Sequence, residues 1–348
     1  MRNLYNKALM YQAFQKTKWI LMVCSFILLI SYYFILRSNF NLANANISNL
    51  NTNVFSHVDA TAIMLVCCFI FLVYIVVIGN NKKEYRNFLG SAPFSKEDIK
   101  KNEITFLFIA LTIAVVIFVY ISICFYFRNE YLISISYGYF ISIFEDTIRI
   151  FIIGSMFIAY LLLIELLFSN ITFFSLMLIL TPIVFLFNLA ILERIKEYMN
   201  TVSFISGTFK VNMDKCILAI YNYIFRTISY LNFNIKYEVV AIAILVFLTI
   251  VGFIVMWQIN KRMNCNRANK LFTFPFVENV FSYVFSFSII NFIVYIIIDS
   301  ALGRMYVYNR ERIPSIINNI YFYVIVIFTI TFSFALMKPV KKIVNKFV

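Results

Sequence analysis

Few residues of this chain have the types and spacing that catalysis needs. The single histidine, His57, has no second His or Cys beside it that would complete a set of three or four metal ligands, so it reads as a loop residue. Of the six cysteines, Cys24, Cys67, Cys68 and Cys124 lie in apolar runs, while Cys216 and Cys265 fall in polar stretches expected on opposite sides of a membrane. Neither a disulfide framework nor a CxxC metal spacing is offered. No GxxxxGK[ST] phosphate loop, HExxH, GxSxG or dinucleotide fingerprint occurs in a chain with only seven glycines. The expectation is a protein without a catalytic site, metal or cofactor of its own.

The remaining chemistry lies in ionisable residues set in apolar surroundings, where an unpaired charge costs roughly 2.5–3.5 kcal/mol on insertion scales. Glu165, inside YLLLIELLFSN, is the clearest intramembrane candidate; a partner on a neighbouring helix is its ordinary explanation. Glu145, Asp146 and Arg149 cluster upstream, and Glu145 with Arg149 has the i, i+4 spacing of a local ion pair. Asp59 and Asp299 fall at expected outer span ends. None of these makes the series of buried carboxylates and bases that a proton-coupled carrier needs.

These residues must be positioned by membrane helices. Of 348 residues, 62% are hydrophobic and 13% charged, too apolar a composition for a water-facing surface. No segment alternates over the ten residues of a barrel strand, so the fold class is all-α, a polytopic membrane helical bundle. A crossing takes about 20 mostly apolar residues. Eight stretches qualify, at about 18–36, 58–78, 104–127, 147–168, 171–192, 238–259, 279–300 and 313–336, together one transmembrane domain over 18–348. The first is expected to be retained rather than cleaved. Pro182 predicts a kink in the fifth, whereas Pro314 is placed at the start of the eighth and Pro339 just past its end. Residues 1–17 set Met1, Leu4, Tyr5, Ala8, Leu9 and Tyr11 on one arc, predicting an amphipathic helix in the interface.

The net charge of +14 would suit nucleic acid in a soluble protein, but here it follows membrane topology. With both termini cytoplasmic, eighteen of thirty basic residues lie inside. Six of the other twelve fall in the outer segment 193–236, which is long enough to escape the rule. No nucleic-acid partner is expected, and membrane lipid takes its place. The turn at 169–171 is the weakest boundary, because fusing 147–192 would invert everything downstream. The outer segment is expected to hold one or two short interfacial or re-entrant helices between Met213 and Leu231.

The loop 79–103 combines a basic background with an apolar patch of Phe88, Leu89, Pro93 and Phe94, followed by Ser95, Lys96, Glu97 and Asp98. Ser95 has the character of an N-cap with acidic residues in the first turn, predicting a short helix that runs toward the third span. Such a helix is either a docking surface or an ordinary positive-inside loop. A second loop, 260–278, has the same chemistry in Phe272, Pro275, Phe276 and Glu278. Pro93-Phe94 and Pro275-Phe276 are 182 residues apart, a spacing compatible with a four-plus-four repeat or with chance.

The run Arg86-Asn87-Phe88-Leu89-Gly90-Ser91-Ala92-Pro93-Phe94-Ser95-Lys96-Glu97-Asp98-Ile99 resembles the cytoplasmic loop of ABC transporter permeases of the bacterial drug, antibiotic and peptide export type (type-2 permeases). The amphipathic lead-in before the first span is similar to that family's connecting helix, and the likeness covers roughly the first 130 residues. It departs in span number, because that family usually has six. The resemblance implies a multi-pass permease of the bacterial cytoplasmic membrane, working as a homodimer or heterodimer. Separate ATPase subunits would dock on residues 88–101, and in a repeat also on the second loop. The implied cargo is an amphipathic peptide, an antibiotic or a lipid. The alternatives are a secondary carrier or flippase acting alone, and a non-transporting membrane sensor subunit.

Overall fold

The computed structural model describes residues 7–47, 60–78, 95–129, 139–168, 171–198, 235–262, 274–308 and 315–344. They form eight α-helices: α1 Lys7–Ile47, α2 Ala60–Ile78, α3 Lys96–Arg128, α4 Tyr139–Leu167, α5 Ile171–Tyr198, α6 Ile235–Arg262, α7 Pro275–Tyr308 and α8 Ser315–Val344. Seven are long and apolar enough to cross a membrane. The fifth, α5, carries an apolar stretch of Phe173–Asn188 among the described residues. The chain is thus a polytopic helical membrane bundle.

The helices outrun the apolar segments that announce them, because hydropathy stops at the first charge whereas helix propensity does not. No Gly or Pro interrupts Lys7–Ile47, so α1 is one helix of 41 residues. At 1.5 Å per residue it is about 61 Å long, twice the roughly 30 Å hydrocarbon core. Residues 7–17 are therefore the first turns of α1 and not a separate interfacial helix. Leu9, Ala13 and Thr17 are buried at i, i+4 spacing, and Tyr11, expected on the apolar arc, is 65% exposed. Pro339 is a second correction: it lies inside α8, not past its end. The turns beyond it are anchored where Lys341 Nζ lies 3.3 Å from Glu278 Oε1 and donates to Asn279 Oδ1 at 2.8 Å. Pro182 does lie within α5.

The chain divides into two compact units, Met1–Leu163 with Val211–Arg262, and Ile164–Lys210 with Met263–Val348. This is not a clean four-plus-four division, since α6 belongs to the first unit. There α1 and α3 pack in the same direction, with Tyr32 edge-on to Phe118 at 5.7 Å and Phe40 edge-on to Phe125 at 5.4 Å. α4 runs back along α3: Tyr139 donates its hydroxyl to the Ser122 carbonyl at 2.8 Å, and Phe151 lies 6.3 Å from Phe108. α6 is also antiparallel to α3, with Phe253 5.9 Å from Phe108 and Trp257 beneath Lys101.

Gly154 permits the close approach of α3 and α4. A Cβ there would land on Leu111 Cδ1, and Leu111 is fully enclosed. Gly154→Val is expected to cost about 1–3 kcal/mol by overpacking. Thermal unfolding in detergent checks this, and an unchanged midpoint would refute the close packing.

The second unit repeats the parallel pairing. Phe173 of α5 lies 6.2 Å from Phe281 of α7, and Phe187 lies 5.8 Å from Phe292, so both helices run the same way. α8 runs antiparallel to α7: Tyr283 meets Phe334 at 4.6 Å, and Ile325 packs against the core of Ile191, Ile290 and Val294. α4 ends at Leu167 and α5 begins at Ile171, so 147–192 is two helices rather than one fused span.

Candidate functional site

The start of α3 is where chemistry expected from sequence meets defined geometry. Ser95 is extended (φ −73°, ψ 150°), as an N-cap must be, and its Oγ accepts the Asp98 backbone N–H at 3.1 Å. The Ser95 hydroxyl in turn donates to Asp98 Oδ2 at 2.6 Å. Glu97 and Asp98 occupy the first turn, where a helix N-terminus favours negative charge. The helix then continues without a break through Arg128. This corrects the expected short helix: no Gly or Pro separates the capped turn from the span, and the two are one rod of 33 residues.

Four further contacts hold that end in place. Glu97 Oε1 lies 4.0 Å from Lys261 Nζ at the end of α6; both side chains are about half exposed, so the pair contributes little stability and mainly sets charge. Lys101 Nζ sits 5.6 Å above the Trp257 ring of α6. Lys100 donates to Glu103 Oε2 at 2.8 Å, with both side chains almost entirely buried. The Thr105 hydroxyl donates to the Lys101 carbonyl at 2.9 Å. Of these partners, the i, i+3 spacing in KKNE could have announced Lys100–Glu103. Nothing local in the sequence announces Trp257 or Lys261.

The start of α7 has related chemistry. Pro275 opens the helix, at the position where its missing N–H costs nothing, and Phe276 is 73% exposed. Glu278 faces Lys341 rather than standing free. Phe88, Leu89, Pro93, Phe94 and Phe272 lie outside the described residues, as do His57, Asp59 and the segment 199–234. Lys96 begins α3.

Glu165 is 2% exposed in the last turn of α4. At the other end of that helix Arg149 Nη1 reaches Asp146 Oδ1 at 3.2 Å, both buried, an i, i+3 contact that the sequence reading did not pair. Glu145, the expected i, i+4 partner, lies on the exposed side of the same turn.

Sequence reasoning also missed a polar link between α5 and α7. Asn188 Nδ2 donates to Ser288 Oγ at 2.8 Å, and Asn291 Nδ2 donates to Asn188 Oδ1 at 3.2 Å. Such bonds are worth on average about 0.6 kcal/mol each inside membranes and offset part of the cost of burying Asn188 and Asn291. Among the described residues, no three His, Cys, Asp or Glu side chains come together to hold a metal. Cys24, Cys67, Cys68 and Cys124 are free thiols.

Compared with protein-family models, curated proteins and solved structures, the chain matches none. The functional reading therefore rests on its own residues.

Proposed function

We propose that this multi-pass membrane protein is the permease subunit of an ATP-driven exporter. It moves an amphipathic peptide, antibiotic or lipid with energy from a separate ATPase. One observation carries the reading: the capped, acidic end of α3 follows directly on the aromatic loop 88–94 and is continuous with a membrane span. A force applied at Ser95–Asp98 is transmitted along a single helix instead of being lost in a hinge. α6 packs against that end through Lys101–Trp257, so displacement of α3 moves α6 as well.

In this mechanism ATPase closure pushes on 88–101 and the spans alternate access to a path at the interface of two permeases, identical or different. The second loop, with exposed Phe276, gives a second contact. Glu97 is the informative position, because its side chain is 45% exposed and its reversal disturbs the docking charge while leaving the core intact. Glu97→Lys combined with Phe94→Asp is expected to abolish capture of the ATPase and transport while the permease still folds. Retained transport in that variant would refute the coupling role.

A further inference from the structure

α8 has two chemically distinct faces. Thr329 and Ser333 are buried toward the core, and Lys341 is bonded to Glu278 and Asn279 of α7. The opposite face is exposed over Ile327, Phe328, Thr331, Phe332, Phe334 and Ala335. At 100° per residue, Lys338 and Lys342 fall on that same exposed arc, one turn apart, where the apolar stripe ends. Neither lysine has a protein partner among the described residues. This sets them apart from Lys100, Lys101, Lys261 and Lys341, which are held by Glu103, Trp257, Glu97 and Glu278 respectively.

The exposed apolar stripe, which includes Val324, runs down the helix and ends at Lys338 and Lys342. An apolar stripe that ends in two cations one turn apart is complementary to a molecule with acyl chains and an anionic head. We propose that the outward face of α8 is a binding site for an anionic phospholipid, with its acyl chains along Ile327–Ala335 and its phosphate between Lys338 and Lys342. The site uses none of the α3 residues, so its loss and the loss of docking at Ser95–Asp98 are read separately.

The test is native mass spectrometry of the full chain in detergent, titrated with phosphatidylglycerol or with phosphatidylcholine of the same acyl chains. Wild type should prefer phosphatidylglycerol, and Lys338→Gln with Lys342→Gln should lose roughly fivefold per lysine, on the order of twentyfold or more together. Lys338→Arg with Lys342→Arg should keep the preference, which separates loss of charge from loss of fold. For wild type alone, the preference should fall as salt rises. No preference in wild type, or an unchanged preference in the glutamine variant, would overturn the proposal.

Discussion

Asp146→Leu is expected to destabilise the protein by about 3–5 kcal/mol, because it removes the carboxylate bonded to a buried arginine. Asp146 is fully buried and Arg149 is 3% exposed. Arginine cannot shed its proton, so the stranded guanidinium has no inexpensive escape inside the bundle. Replacing both residues, Asp146→Leu with Arg149→Leu, should recover most of the loss, since a buried ion pair exchanged for apolar groups of similar volume is often close to neutral. Unfolding in mixed micelles measures both variants. If the single substitution leaves stability unchanged, the inward i, i+3 contact is not what holds this end of α4.

Glu103→Leu is expected to have the second largest effect, again about 3 kcal/mol or more, by removing the carboxylate bonded to the buried Lys100. Lys100 and Glu103 are 4% and 8% exposed and share a 2.8 Å hydrogen bond. A stranded lysine can lose its proton, so the penalty should fall below that at Arg149. This pair lies one turn beyond the capped end of α3, so the loss should appear as a softer inner end as well as a lower midpoint. Hydrogen exchange over 96–105 is expected to speed up in Glu103→Leu and to return toward wild type in Lys100→Met with Glu103→Leu. Equal exchange in all three proteins would show that the pair does not stiffen α3.

The membrane bundle was legible because a crossing demands about 20 apolar residues, and this requirement stands out in a single sequence. The start of α3 was legible for a related reason: Ser95 followed by Glu97 and Asp98 is a local signal, and capping is a local interaction. Helix ends were less legible. Charged residues such as Lys100, Lys101 and Glu103 end a hydropathy window, but nothing in KKNE ends a helix. The same applies to α8, where a single Pro339 did not outweigh the anchoring of Lys341.

Pairings were legible only when close in sequence, and then incompletely. That Asp146 is buried beside Arg149 while Glu145 is exposed depends on which side of α4 faces the bundle, a tertiary fact. Lys101 on Trp257 and Asn188 with Asn291 join residues more than a hundred positions apart, for which one sequence carries no signal. The first joins α6 to the proposed docking end, and the second ties α5 to α7.

The most direct test of the coupling claim is substrate-stimulated ATP hydrolysis by the permease co-purified with the cell's ATPases and reconstituted in vesicles. Wild type should retain an ATPase whose hydrolysis rises with an amphipathic peptide, antibiotic or lipid cargo, and the variant with Phe94→Asp and Glu97→Lys should retain none. A folded wild-type permease that captures no ATPase, or a variant that captures and stimulates it as well as wild type, would contradict the account.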